Sequence, residues 1–207
     1  EVLHNRLLAA PRGTTGSDAP LHAATTNAYL ALLRVLNTQI ALLEDNLAAQ
    51  LTTHPDAHIF ASLPRVKTLR VARLIGEIGD ARGKFPTPDS LSALAGVAPS
   101  TRQSGKVKAV TFRWGCNKQL RDAICDFASD SRHDNPWAAE LYNQARARGH
   151  DHPHAVRILG RAWAHIIWRC WQSSMAFRRS SSLGLTGLLH APTSAITMSA
   201  WRAASSK

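Results

Sequence analysis

Apolar residues recur at three- and four-residue steps from about Leu21 to Thr53, through Ala28, Leu32, Val35 or Leu36, Ile40, Leu43, Leu47 and Leu51. No Gly or Pro interrupts this run, and Arg34, Asn37, Gln39, Glu44, Asp45 and Gln50 fall largely off the apolar stripe. That period predicts one helix over 21–54, about 50 Å long at 1.5 Å per residue. A helix of this length is either one arm of an antiparallel bundle or a coiled-coil partner of another chain. Ahead of it, Leu3, Leu7 and Leu8 form a helix-like phrase that gives way to Pro11-Arg12-Gly13-Thr14-Thr15-Gly16-Ser17-Asp18, so residues 1–20 read as a linker.

Pro55 stops the long helix, and Asp56 to Leu63 supplies a short helical turn. Leu63 to Gly79 then has the outline of a helix-hairpin-helix, a motif that grips DNA backbone without reading sequence. Its hairpin normally carries glycines where Arg65 and Lys67 stand. Those two cations, with Arg70 following, are candidate phosphate contacts in place of backbone amides; an ordinary helical hairpin is the competing reading. Thr87 before Pro88 marks a further helix start, ended by Gly96. Segment 97–113 is expected to be a loop or short hairpin, with Lys108-Ala109-Val110-Thr111-Phe112 suited to an extended strand. Helices follow from Asn117 to about Ser131 and from Asn135-Pro136 to Gly149.

The last predicted helix buries Ile158, Ala162, Trp163, His165 or Ile166, Ile167 and Trp171, the tryptophans being read as core. His150-Asp151-His152-Pro153-His154 precedes it. The spacing matches no helical set of metal ligands, and Asp151 or His152 is better placed as a helix cap. Beyond Ser173 the periodicity fades into Ser, Ala, Gly and Thr, which predicts a disordered tail over 174–207. The fold class is therefore mainly α: a long coiled-coil-like helix, then a compact helical domain over 55–173 with a basic loop or short β-hairpin.

Composition narrows the function. The chain has 207 residues and a formal net charge of +11, and its pI is near 10.6. A polyanion is the expected partner, because neutralised phosphates release counterions. No apolar run approaches the roughly 18 residues needed to span a bilayer, and Glu1-Val2-Leu3-His4 has no secretory layout. A cytoplasmic protein without membrane partners is expected. The lack of an initiating Met points to a piece of a longer chain. Cys116, Cys125 and Cys170 are widely spaced and odd in number, so they form neither a disulfide framework nor a zinc pattern and are read as reduced and mostly buried.

The candidate chemistry lies in Ala95 to Arg121. Ser104 stands before Gly105 in a segment that carries Arg102, Lys106, Lys108, Arg113, Lys118 and Arg121 and no acidic residue. A serine attacks phosphorus if its proton is removed and the developing negative charge is held, and clustered cations meet the second need. No carboxylate or histidine in the segment stands out as the base.

An ordered series of phrases resembles a known family: Leu63-Pro64-Arg65-Val66, Glu77-Ile78-Gly79-Asp80, Phe85-Pro86-Thr87, Leu94-Ala95-Gly96-Val97-Ala98-Pro99, Arg102-Gln103-Ser104-Gly105, Asn117-Lys118-Gln119-Leu120-Arg121 and the helix from Ala155 to Trp171. Together they resemble the C-terminal transposase domain of the insertion sequence 110 family, the 110/116/902 group, and the long helix matches that family's connecting coiled coil more loosely. The resemblance implies DNA cleavage and strand exchange through a catalytic serine, which maps onto Ser104. It also implies a separate N-terminal domain, similar to RuvC resolvases, whose acidic residues hold magnesium; these 207 residues do not contain it, so the chain alone is expected to be inactive. A guide RNA, a dimer or tetramer that shares active sites between protomers, and a bacterial, nucleoid-associated location are further implications. Two other readings stay open: a nonenzymatic helix-hairpin-helix module that only binds DNA, and an inactive remnant of a mobile element.

Overall fold

The computed structural model describes residues 1–10, 18–104 and 107–178, with the side chains of residues 102, 107 and 108 excepted. The architecture is mainly helical, a long helix followed by a compact helical region. Helix α1 spans Val2–Leu8 and α2 spans Ala19–Thr53. Two compact units divide the chain between Asn46 and Leu47. No described residue of the first unit is buried: Leu32, Val35, Ile40 and Leu43 on the expected stripe are 52–62% exposed. The second unit begins inside α2, ahead of the expected boundary at residue 55, because Leu51 packs against the core. No helix among the described residues is long and apolar enough to cross a membrane.

The compact unit continues with α3 (Ala57–Ala61), α4 (Thr68–Ile78), a short 3-10 turn (Arg82–Lys84), α5 (Pro88–Leu94), a β-hairpin, α6 (Lys118–Ser131), α7 (Pro136–Ala147) and α8 (His152–Gln172). The cap residues set these boundaries as the sequence indicates. Thr87, Asn117, Asn135 and Asp151 each accept a backbone N–H from the first turn of the helix that follows, and Gly96 (φ +63°) and Gly149 (φ +87°) take the left-handed conformation just past the ends of α5 and α7.

Helix α8 is the axis of the core. It packs against α5, α6 and α7, and α4 covers α6 from another side. The buried face of α8 runs through Leu159, Trp163, Ile166, Ile167 and Trp171. Leu159 replaces the expected Ile158, which is half-buried, and Ile166 rather than His165 turns inward. The small residue Gly160 allows α6 to approach: a Cβ there would lie 3.3 Å from Val97 Cγ1 and 3.4 Å from Ile124 Cγ2. Trp163 sits edge-on to Phe127 at 5.0 Å and to Trp137 at 5.3 Å, and its indole N–H donates to Ser131 Oγ at 2.8 Å.

Asp56 ties α3 to the far end of α8. It accepts the Trp171 indole N–H at 2.7 Å and pairs with Arg82. The chain after Ser173 departs from the expected loss of order, since residues 174–178 fold back on the core. Phe177 is 8% exposed, meets Trp163 at 5.4 Å, and its N–H donates to Ser62 Oγ at 2.7 Å. An aromatic landing on an apolar floor supplies what the Ser-rich composition hides. The rest of the expected tail, from residue 179, lies outside the described residues.

Candidate functional site

Strands β1 (Ser100–Ser104) and β2 (Val107–Thr111) form an antiparallel hairpin whose last pair is Ser104 with Val107. The β-branched and alternating pattern of 107–111 suits an extended strand, and two strands without a covering layer leave both faces to solvent. Thr101, Gln103, Ser104, Ala109 and Val110 are all exposed. Ser104 thus stands at the end of β1, open to a macromolecular ligand. No histidine or carboxylate among the described residues hydrogen-bonds its hydroxyl.

The sequence-expected cations fall into two groups. Along the hairpin, Arg102 pairs in register with Ala109 and Lys108 with Gln103; their side chains, and Lys106 altogether, lie outside the described residues. Arg113 braces the base of the hairpin, donating from Nε to the Ala98 carbonyl and from Nη2 to the Pro99 carbonyl, both at 3.3 Å. Lys118 is exposed at the first position of α6. Arg121 follows one turn later, with Nη1 3.6 Å from Cys116 Sγ and Nε 3.9 Å from Asp122.

Arg65 and Lys67 lie in the connection between α3 and α4, and Arg70 in the first turn of α4. Arg65 holds φ at +55°, the left-handed conformation usually left to glycine. Its guanidinium does not project freely: Nε donates to Asp130 Oδ1 at 3.1 Å. Arg70 donates to Asp130 Oδ2 at 2.7 Å, to Asp126 Oδ2 at 3.2 Å and to the Arg65 carbonyl at 2.9 Å. Partial burial disfavours the Asp130 carboxylate, but the hydrogen bonds from Arg70 and Arg65 outweigh it and hold its pKa below the usual range. Burial likewise opposes the Arg70 charge, and Asp130 and Asp126 overcome it and raise its pKa. The structure therefore ties Arg65 and Arg70 to α6. Of these three cations, Lys67 alone, exposed at the start of α4, has no ion pair among the described residues.

Sequence reasoning passed over an aromatic and cationic group at the foot of the hairpin. Phe112 and Trp114 meet edge-to-face at 4.8 Å, and the guanidinium groups of Arg121 and Arg157 lie over the Phe112 ring at 5.4 and 4.8 Å. Trp114 is 80% exposed, whereas Trp163 and Trp171 are fully buried. Its one legible signal is its place inside a stretch that lacks helical period. Arg157 comes from α8, distant in sequence, so no local pattern links it to this cluster. Beneath lies Cys125, whose thiol burial pushes up to about 11 against the opposing pull of Arg157 and Arg121.

The histidine-rich turn before α8 is occupied by protein contacts. His152 Nδ1 lies 2.7 Å from the Tyr142 hydroxyl, and the His150 and His154 rings are 4.2 Å apart. Burial, then His150 and Arg157, lowers the His154 pKa. No group of three His, Cys, Asp or Glu among the described residues is placed to hold a metal ion.

Comparison with known proteins bears on this geometry. A family model described as the transposase of the IS116/IS110/IS902 family matches residues 57–143, which include the hairpin and Ser104. The mini-circle protein of IS117, named for a transposase, from Streptomyces coelicolor is 34% identical over 72% of this chain and 36% of its own length. The 43.6 kDa protein of insertion element IS110 from the same organism is 32% identical over 66% of this chain and 34% of its own. The 42 kDa protein of insertion element IS900 from Mycobacterium paratuberculosis is 28% identical over 70% and 37%. The chain thus spans about a third of the length of these relatives. Residues 57–143 thus match the IS116/IS110/IS902 transposase family, and the wider chain is similar to insertion-element proteins over about 70% of its length.

Proposed function

We propose that this chain is the C-terminal part of a DNA transposase in which Ser104 is the nucleophile for strand cleavage and rejoining. The observation that carries the reading is the exposed Ser104 at the end of β1, inside the residues matched to a transposase family. In the proposed step, Ser104 Oγ gives up its proton and bonds to a backbone phosphorus. The phosphorus–oxygen bond to one strand breaks, and the departing oxygen takes up a proton. The phosphoserine link keeps the ester energy, so a hydroxyl of another strand reverses the attack and joins new partners. Arg113 at the hairpin base, with Arg102 and Lys108 of its strands and Lys106 from the same stretch of sequence, supplies positive charge for the nonbridging oxygens, guanidinium suiting them better than ammonium.

The residues present do not fit a magnesium site: Asp126 and Asp130 are bound to arginines, and no metal-holding cluster lies among the described residues. Magnesium and the base for Ser104 are accordingly expected from the separate N-terminal acidic domain that the family resemblance implies. Guidance by RNA and assembly of protomers through the exposed stripe of α2 belong to the same reading. A full-length protein containing this chain should trap cleaved DNA covalently, and Ser104→Ala should abolish the trapped species while leaving DNA binding in place. Undiminished trapping by Ser104→Ala would show that the nucleophile lies elsewhere and favour a domain that only binds DNA.

A further inference from the structure

We infer that Trp114 is a stacking platform for an unpaired base of the DNA strand engaged by the hairpin. The inference rests on the DNA-acting reading above and adds to it the state of the substrate, a strand opened near the serine. At 80% exposure Trp114 is the most exposed large apolar side chain among the described residues of the compact unit, and Trp163, Trp168 and Trp171 each place the indole N–H on a protein acceptor. The Trp114 indole has none among the described residues. Its position is nevertheless fixed, because the ring meets Phe112 at 4.8 Å and 81°, and Phe112 is held under Arg121 and Arg157. A rigid, amphipathic ring held in solvent is costly for folding alone and suited to a ligand with a flat face.

Charge identifies that ligand. Arg113 precedes Trp114 directly, Lys118 is exposed at the start of α6, and Arg121 and Arg157 complete a cationic surround. Asp122, the acid beside Arg121 in the chain, lies 3.9 Å from its guanidinium and is 64% exposed. A neutral apolar peptide gains little from such a surround, whereas a nucleic-acid strand brings phosphates for the cations and bases for the ring. Cations alone would serve a paired duplex. Bases inside a duplex present their faces only to one another, so an indole at a protein surface reaches a base face when that base has left the stack or ends it. Five residues of strand β2 separate the Ser104 end of the hairpin from Phe112, roughly 17 Å at about 3.4 Å per residue. The platform is therefore distinct from the serine yet within reach of the same strand.

The test measures affinities of the full chain, by anisotropy at fixed salt, for a labelled single-stranded oligodeoxynucleotide, the blunt duplex of the same sequence and the matching oligoribonucleotide. Trp114→Ala should weaken single-stranded DNA by roughly 5- to 150-fold while duplex affinity changes by less than about twofold, and Trp114→Phe should retain most of the binding. A single-strand affinity within about twofold of wild type, an equal loss on duplex, or a larger loss on RNA than on DNA would overturn the inference. Wild-type chain that binds no DNA at all would remove the DNA-acting reading and the platform together; wild-type binding that ignores Trp114→Ala removes the platform alone. Because the side chain lies outside the core, a thermal melt unchanged by Trp114→Ala is expected and separates lost stacking from lost folding.

Discussion

Replacing Asp130 by Asn tests whether the Arg65–Arg70 network holds the α3–α4 connection against α6. Asp130 is 27% exposed in its side chain and receives Arg65 Nε at 3.1 Å and Arg70 Nη1 at 2.7 Å. Hydrogen bonds to charged groups contribute about 1.5–3 kcal/mol each when sheltered. Arg65 is 46% exposed, which calls for a discount of about half. Asp130→Asn keeps the shape and one acceptor oxygen but loses the charge, so a net loss of about 2 kcal/mol is expected, or roughly 4–8 °C in Tm for a domain of this size. The pH dependence gives a second, independent reading. A carboxylate whose folded pKa is depressed stabilises the fold above its unfolded value, about 3.9, and loses that contribution as pH falls through the folded pKa. The gap between wild type and Asp130→Asn should therefore be widest near neutral pH and close in acid, as the wild-type carboxyl becomes neutral too. Urea unfolding of both proteins across that range measures it. A gap below about 0.5 kcal/mol at pH 7, or one that persists unchanged in acid, would refute the assignment of stability to this network.

Other substitutions probe separate parts of the fold. Asp56→Ala removes the acceptor of the Trp171 indole and the partner of Arg82, and should cost about 3 kcal/mol in urea unfolding, with Asp56→Asn milder because it retains an acceptor; a loss under about 1 kcal/mol would contradict the role. Gly96→Ala combines a left-handed φ of +63° with a Cβ only 2.6 Å from Cys116 Sγ and 2.8 Å from Cys116 Cβ. About 3 kcal/mol of destabilisation is expected, and Cys116→Ala in the same chain should recover only part of it, since the Cβ contact remains. Burial pushes the thiols of Cys125 and Cys170 up to about 11, so at pH 8 both should alkylate about two orders of magnitude more slowly in the folded chain than in urea. Mass-spectrometric timing of iodoacetamide labelling would check this, and equal rates in the two states would contradict it.

Much of the compact unit was legible because its signals are local. Thr87, Asn117, Asn135 and Asp151 cap helices through backbone N–H groups three residues away, a relation written in short sequence windows. The apolar period of α8 was equally plain, although which of two adjacent residues turned inward, Leu159 rather than Ile158, depended on where α6 packs. Phe177 escaped because a single aromatic in a Ser-rich run carries no period, and its burial depends on the floor formed by Trp163.

The candidate site divides along the same line. Ser104, its basic neighbours and the family phrases around them were legible in the sequence alone, since the serine, the cations and the hairpin strands are contiguous in the chain. Partner choice was not. Arg65 and Arg70 look like free cations in sequence, yet Asp126 and Asp130 lie 56 to 65 residues away and meet them only when α6 packs against α4. Arg157 reaches Phe112 from the far end of the chain, and Trp114, a core residue by composition, stays in solvent because the two-stranded hairpin before it has no covering layer. Charge and aromaticity are properties of single residues, whereas what neutralises a charge or covers a ring is a property of distant segments brought together by packing. Only the tertiary structure decided which of the described cations stay exposed and which are spent on the fold.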